Sequence, residues 1–252
     1  MSKNAFEKYN IQHLSPSTCN LFTSSPAMFV LSKCLKRNNP VGAAAHRGTA
    51  VEYGIAHGLM DHTITINECR QVTMDKFKTL TSMSGDPRLE KELAAIGDMV
   101  EVGLKELRPY GVPSSMQGKI TYDIEGLDVP MIGFYDFEYA QSGILIDLKT
   151  THALPSKISQ SHARQVALYT AARGGNISAR ISYVTSKKSA TYALENVTAH
   201  VAALGRIGLA IQRFLSVSDD PMELAAMVMP DTDSFYFSDP LTRQAAFEIW
   251  GV

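Results

Sequence analysis

Cysteine is scarce in this 252-residue chain: there are three, at positions 19, 34 and 69, with no C-x-x-C spacing and none beyond 69. An odd, scattered set of this kind argues against a disulfide framework and against a four-cysteine zinc or iron–sulfur site. Long apolar runs are also missing. The stretch 27–31 is among the longest, far below the roughly 20 residues needed to cross a bilayer. The opening MSKNAFEKYNIQHL mixes charges and amides where a secretory leader needs a continuous apolar segment. A cytosolic, reducing compartment with no membrane attachment is expected. Charge of one sign is not in excess either: 24 Lys and Arg stand against 25 Asp and Glu, a net charge of −1. No global positive field marks a polyanion binder, so any nucleic-acid site must be local.

Nucleotide and hydrolase signatures are absent as well. The sequence has no G-x-x-x-x-G-K-[ST] loop, no G-x-G-x-x-G, no G-x-S-x-G and no H-E-x-x-H, which removes the usual support for nucleotide hydrolysis, dinucleotide binding, serine esterase chemistry and zincin proteolysis. Internal repeats, low-complexity tracts and Pro/Gly/Ser linkers are missing too, so residues 1–252 are expected to form one domain. What is present is 45% hydrophobic residues, enough at this length to remove roughly 70–75% of the unfolded chain's surface from water without a staple.

The pattern changes along the chain. A helical part is expected over about 14–110. Ser15-Pro16-Ser17 resembles a cap with proline in the first turn, Pro26 can open a second short helix through Phe29, Leu31 and Leu35, and Val51, Ile55 and Leu59 form one stripe of a helix over 43–60. A further helix is expected over 89–107. The period then shortens. Three apolar or alternating stretches within 115–150, separated by Glu125-Gly126 and Gln141-Ser142-Gly143, predict an antiparallel three-strand meander. A helix over 157–173, strands near 177–185 and 190–194, and a C-terminal helical part over 196–252 complete the order. This is an α/β (α+β) arrangement: a central mixed sheet flanked by helices, with the catalytic core expected over about 115–195.

The chemistry concentrates in Gly133-Phe-Tyr-Asp136 and Ile146-Asp147-Leu148-Lys149-Thr150-Thr151. Alternate strand residues share a face, so Asp147 and Lys149 point the same way about 6–7 Å apart. Hairpin pairing brings Asp136 alongside. Two carboxylates among apolar neighbours suit a hard cation, Mg²⁺ or Mn²⁺, and Lys149 adds positive charge for a phosphate or an attacking water. Asp147-Leu148-Lys149 is the only [DE]-x-K in the chain. A solvated cross-strand charge pair is the plainer alternative.

In context these residues resemble the PD-(D/E)XK nuclease superfamily, and within it the RecB-like and phage exonuclease branch. Asp136, ten intervening residues, Asp147-Leu-Lys149 and then Gln165-Val-Ala-Leu-Tyr169 on a helix follow the family's order, and upstream Leu14-Ser-Pro-Ser17 and Arg47-Gly48-Thr-Ala-Val-Glu52 look like its earlier motifs. The resemblance implies a restriction-endonuclease-like core. It implies metal ligation by Asp136, Asp147 and the Leu148 backbone carbonyl, with Glu52 as a third ligand, and a catalytic Lys149. It further implies that Gln165 and Tyr169 order the lysine or the DNA backbone.

Ser15, Ser17 and Arg47 become candidate phosphate contacts. The alternatives are a solvent-facing Glu52, a capping Ser15 and a core-packed Tyr169. Of the histidines, His152 and His162 flank the expected active strand and helix. Relatives with an iron–sulfur cluster carry cysteines near the C-terminus, and this chain has none there, so no cluster is expected. The activity implied is a Mg²⁺- or Mn²⁺-dependent deoxyribonuclease, an exonuclease resecting double-stranded DNA ends for recombination or repair. A single-strand annealing partner, homo-oligomers and a bacterial host's cytoplasm for a phage-borne member belong to the same implication. The rivals are an endonuclease on the same core and a non-catalytic DNA- or protein-binding module.

Overall fold

The computed structural model describes residues 4–37 and 40–252. In chain order the elements are helices α1 (Ala5–Lys8), α2 (Pro16–Ser24), α3 (Pro26–Phe29), α4 (Ala43–Met60), α5 (Ile66–Thr81) and α6 (Leu89–Leu107). Strands β1 (Ser115–Tyr122), β2 (Met131–Tyr139) and β3 (Ile144–Thr150) follow, then α7 (Gln160–Ala172), β4 (Ser178–Val184), β5 (Ser189–Ala193), α8 (Val197–Ser216), α9 (Pro221–Ala226) and α10 (Pro240–Trp250). The five strands form one mixed sheet in the order β1-β2-β3-β4-β5. β2 and β3 run antiparallel, β3 and β4 parallel, and β4 and β5 antiparallel. The expected mixed sheet with flanking helices is therefore the observed fold, and α7 is the helical crossover that two parallel strands require.

The helices over 43–60 and 89–107 end where the periodicity puts them. α3 is shorter than expected, because from Val30 to Cys34 the chain widens into a π-helical turn. α5 is an addition to the sequence reading. It opens on a reciprocal Thr65/Glu68 cap and buries Cys69, Thr73 and Phe77, one residue per turn.

Contacts gather the chain into two compact units. One comprises Met1–Pro40, Ile120–Gly133 and Asn196–Val252; the other comprises Val41–Lys119 and Phe134–Glu195. In the first, Ala27, Met28 and Leu31 pack with Phe237, Ala245 and Ala246, and the Phe22 ring meets Phe29 and Phe214 at centroid distances of 5.1 and 5.6 Å.

In the second unit α4, α5 and α6 pack on one another, and their buried stripes share a core with Phe137, Tyr139, Ile144, Ile146 and Leu148. α4 and α5 approach so closely that a Cβ on Gly54 would lie 1.7 Å from Thr73 Oγ1, so only glycine fits there. Arg108 closes the C-terminal end of α4 by donating to the Gly58 and Ile64 carbonyls. Strand alternation then assigns the faces: Ile144, Ile146 and Leu148 turn toward this helical core, and Leu145, Asp147 and Lys149 turn to the opposite face.

Candidate active site

The second unit contains Arg47, Glu52, Asp136, Asp147, Leu148, Lys149, Gln165 and Tyr169. Pairing between β2 and β3 runs from Tyr139↔Ile144 to Phe137↔Ile146. One step further on, the Asp136 carboxylate accepts the Leu148 amide through Oδ2 at 2.6 Å. A side chain thus takes a main-chain donor where the ladder ends, as a buried N–H requires. Asp147 is 1% exposed, and the ammonium of Lys149 lies 2.6 Å from its Oδ2, the same-face pairing that strand alternation dictates.

α7 approaches from the side of Asp147. Gln165 Nε2 donates to Asp147 Oδ1 at 2.8 Å and lies 2.7 Å from Tyr169 Oη. Tyr169 is fully buried, and its hydroxyl donates to the Phe134 carbonyl at 2.5 Å, with Asp147 Oδ1 at 3.3 Å. These two residues, one helical turn apart, tie the acid of β3 to the backbone of β2. Both side chains meet Asp147, the acid that itself pairs with Lys149. Burial, and then the Asp147 charge, raises the Tyr169 pKa far above the ordinary phenol value, so the hydroxyl remains a donor.

Glu52 projects from α4 into the same acid group, and the Gln117 side-chain amide donates to its Oε1. Burial first, and then the Asp147 charge, pushes the Glu52 carboxyl up to about 7, although Lys149 and a hydrogen bond with Asp136 work the other way. Asp136 is raised well above the carboxylate range by burial and by the charges of Asp147 and Glu52. Burial works against the charge on Lys149, but Asp147, Asp136 and Glu52 outweigh it and raise the lysine. His162 Nδ1 sits 2.7 Å from Tyr183 Oη. Burial, and then Lys149, lowers its pKa, which favours the neutral ring.

Among the described residues, no three His, Cys, Asp or Glu side chains already form a metal-ligand group. The donor chemistry nevertheless suits a hard cation. Asp147 Oδ2 is buried with no well-directed hydrogen bond despite the nearby ammonium, and burial, followed by the neighbouring acid charges, holds Glu52 and Asp136 toward the protonated form. A divalent ion held by Asp136, Asp147 and Glu52 would relieve both conditions.

Arg47 is a correction to the sequence reading. Its guanidinium is buried and donates to Glu92 Oε2 at 2.5 Å, to Thr150 Oγ1 at 3.1 Å and to the Thr150 carbonyl at 3.2 Å. Donors spent inside the unit do not face a phosphate; they fasten the end of β3 to α4 and α6. His152 Nε2 joins this group, 3.1 Å from both Glu92 carboxylate oxygens. Ser15 and Ser17 belong to the first unit, where Ser15 caps α2 by accepting the Thr18 amide and its hydroxyl is paired with that of Ser17.

Sequence reasoning passed over Glu92 and Gln117. An acid on the otherwise apolar stripe of Ile96, Val100 and Leu104 is a readable sign for Glu92. No local pattern marks Gln117.

No protein-family model and no curated protein matches this chain. Among solved structures, the crystal structure of SSO0001 is similar over 73% of this chain and 97% of that chain, at 14% identity and a TM-score of 0.38. A likeness that distant carries no argument about function. No described helix is long and apolar enough to cross a membrane.

Proposed function

We propose that this chain is a divalent-metal-dependent deoxyribonuclease that hydrolyses phosphodiester bonds, acting as an exonuclease on double-stranded DNA ends. The supporting observation is the linked set Asp136, Asp147, Lys149, Gln165 and Tyr169, in which α7 holds the same acid that pairs with the lysine. A purely structural charge pair does not need a glutamine and a buried tyrosine to orient it. The plain alternative of a solvated surface pair sits poorly with an aspartate that is 1% exposed.

Asp136 and Asp147, joined by Glu52, would hold Mg²⁺ or Mn²⁺. Such an ion supplies the positive charge that polarises a phosphodiester and its attacking water. Lys149 presents an ammonium on the same strand face, where it orients that water and meets charge developing on the phosphate. Gln165 and Tyr169 keep Asp147 in place. The ion also makes an acidic site acceptable to a polyanion in a chain with no net positive charge. The same proposal extends to recombination or repair of DNA ends alongside a single-strand annealing protein, to self-association, and to a cytoplasmic setting.

The test is digestion of duplex DNA labelled at either the 5′ or the 3′ end, in Mg²⁺ with and without chelator, beside a covalently closed circle. The expected result is metal-dependent loss of the linear substrate with the circle intact. Cutting of the circle would convert the reading to an endonuclease. No cleavage of either substrate in Mg²⁺ or Mn²⁺ would leave a binding module on this fold.

A further inference from the structure

β1 contains a conformation that residues bearing side chains seldom adopt. Gln117 has φ of +54°, in the left-handed region where glycine or asparagine would be the inexpensive choice. The strand is also held tightly at that point. A Cβ on the adjacent Gly118 would lie 2.1 Å from the Tyr135 ring, and that ring is anchored by the Tyr135 hydroxyl donating to Glu138 Oε2 at 2.6 Å. Gln117 itself is exposed, so core packing does not demand this residue. What the unusual backbone achieves is to aim the Gln117 amide at Glu52 Oε1 across to α4. Strain retained at an exposed polar residue that contacts a candidate ligand is a mark of function more than of folding.

We infer that Gln117 is a positioning residue for Glu52. By occupying Oε1, its amide fixes the carboxylate and leaves the other oxygen for the cation. This rests on the reading of the acid group as a divalent-ion site, and it makes Glu52 a working ligand rather than a solvent-facing acid. A hydrogen bond of this kind, one step removed from the ion, is worth about 10–100-fold in metal affinity.

The experiment is Mn²⁺ binding measured by calorimetry on the full chain for the parent, Gln117→Gly, Gln117→Leu, Glu52→Gln and the double variant Gln117→Gly/Glu52→Gln. Glycine accepts the left-handed backbone, so Gln117→Gly should unfold at or above the parental temperature while binding Mn²⁺ about tenfold more weakly. Gln117→Leu should lose affinity to a similar extent. The double variant should bind no more weakly than Glu52→Gln alone, because the two residues act through one carboxylate. If the parent binds Mn²⁺ and both single Gln117 variants bind it equally well, the assignment of Gln117 is overturned and the metal reading stands. A parent that takes up no Mn²⁺ overturns the metal reading and this inference with it.

Discussion

The second unit buries charge in two places along β3, and they are built in opposite ways. Beyond the end of the strand, Arg47 and Glu92 pair at 2.5 Å with side chains 8% and 5% exposed, and Thr150 takes further donors of the guanidinium. Burial alone would push the Glu92 carboxyl up, but hydrogen bonds from His152 and Arg47 and the Arg47 charge hold it below its ordinary value. Within the strand, Asp147 stands with Asp136 and Glu52 against the single ammonium of Lys149, and both Glu52 and Asp136 are pushed toward the protonated form. The first group is closed by the protein itself. The second sets three carboxyls against one ammonium, so that two of them are favoured in the protonated form, and a cation from solution would take the place of those protons. On the proposed reading, the first group serves stability and the second serves chemistry.

The largest test of this contrast is Lys149→Ala. It should lower DNA degradation by about 10²–10³-fold while the chain still folds, and Asp136→Ala should abolish degradation. Parental activity in either variant removes that residue from the proposed site. At the other group Glu92→Ala should do the reverse. It leaves the Arg47 guanidinium buried and unpaired, at a cost of about 3–5 kcal/mol in urea unfolding. Replacing the pair together with Arg47→Met and Glu92→Leu should recover most of that loss. A Glu92→Ala chain as stable as the parent would show the pair to be dispensable.

Next in size is a pair of opposed pH slopes in the metal-free chain. Folded Glu52 keeps a proton that the unfolded chain has released, so its contribution to stability is full below pH 4.5 and is lost as pH rises through the interval up to about 7. Glu92 behaves oppositely. Its contribution is complete above its ordinary value of 4.5 and is lost as pH falls through the lower folded value. Melting temperatures from pH 3 to 8 in chelator should show Glu52→Gln flattening the upper limb and Glu92→Gln the lower. Limbs that survive the two substitutions unchanged would break the comparison. The smallest effect belongs to His152, 43% exposed beside the closed pair: His152→Ala should cost no more than about 1 kcal/mol. A larger loss would make the histidine an equal member of that group.

Much of this was legible before any tertiary contact was known. The helices at 43–60 and 89–107 follow from apolar spacing, and the Asp147/Lys149 juxtaposition follows from the two-residue repeat of a strand. Helix α5 was harder to read because its buried stripe is Cys69, Thr73 and Phe77. Two of those three are small or polar, so the hydrophobic period is faint although the Thr65/Glu68 cap is plain. Arg47 was misread because an arginine beside a motif looks the same in sequence whether it faces a phosphate or the interior. Its partner Glu92 lies 45 residues away. Gln117 reaches Glu52 across 65 residues, and no local pattern encodes that contact.

What the amino-acid order determined by itself is periodic and local: which segments coil, which extend, where caps sit, and which acids share a strand face. Those properties depend on neighbours a few residues apart. What only the folded chain decided is charge balance. Whether a carboxylate is satisfied or left wanting depends on groups brought from distant segments into a place where water cannot screen them, and on how many of those groups carry the opposite sign.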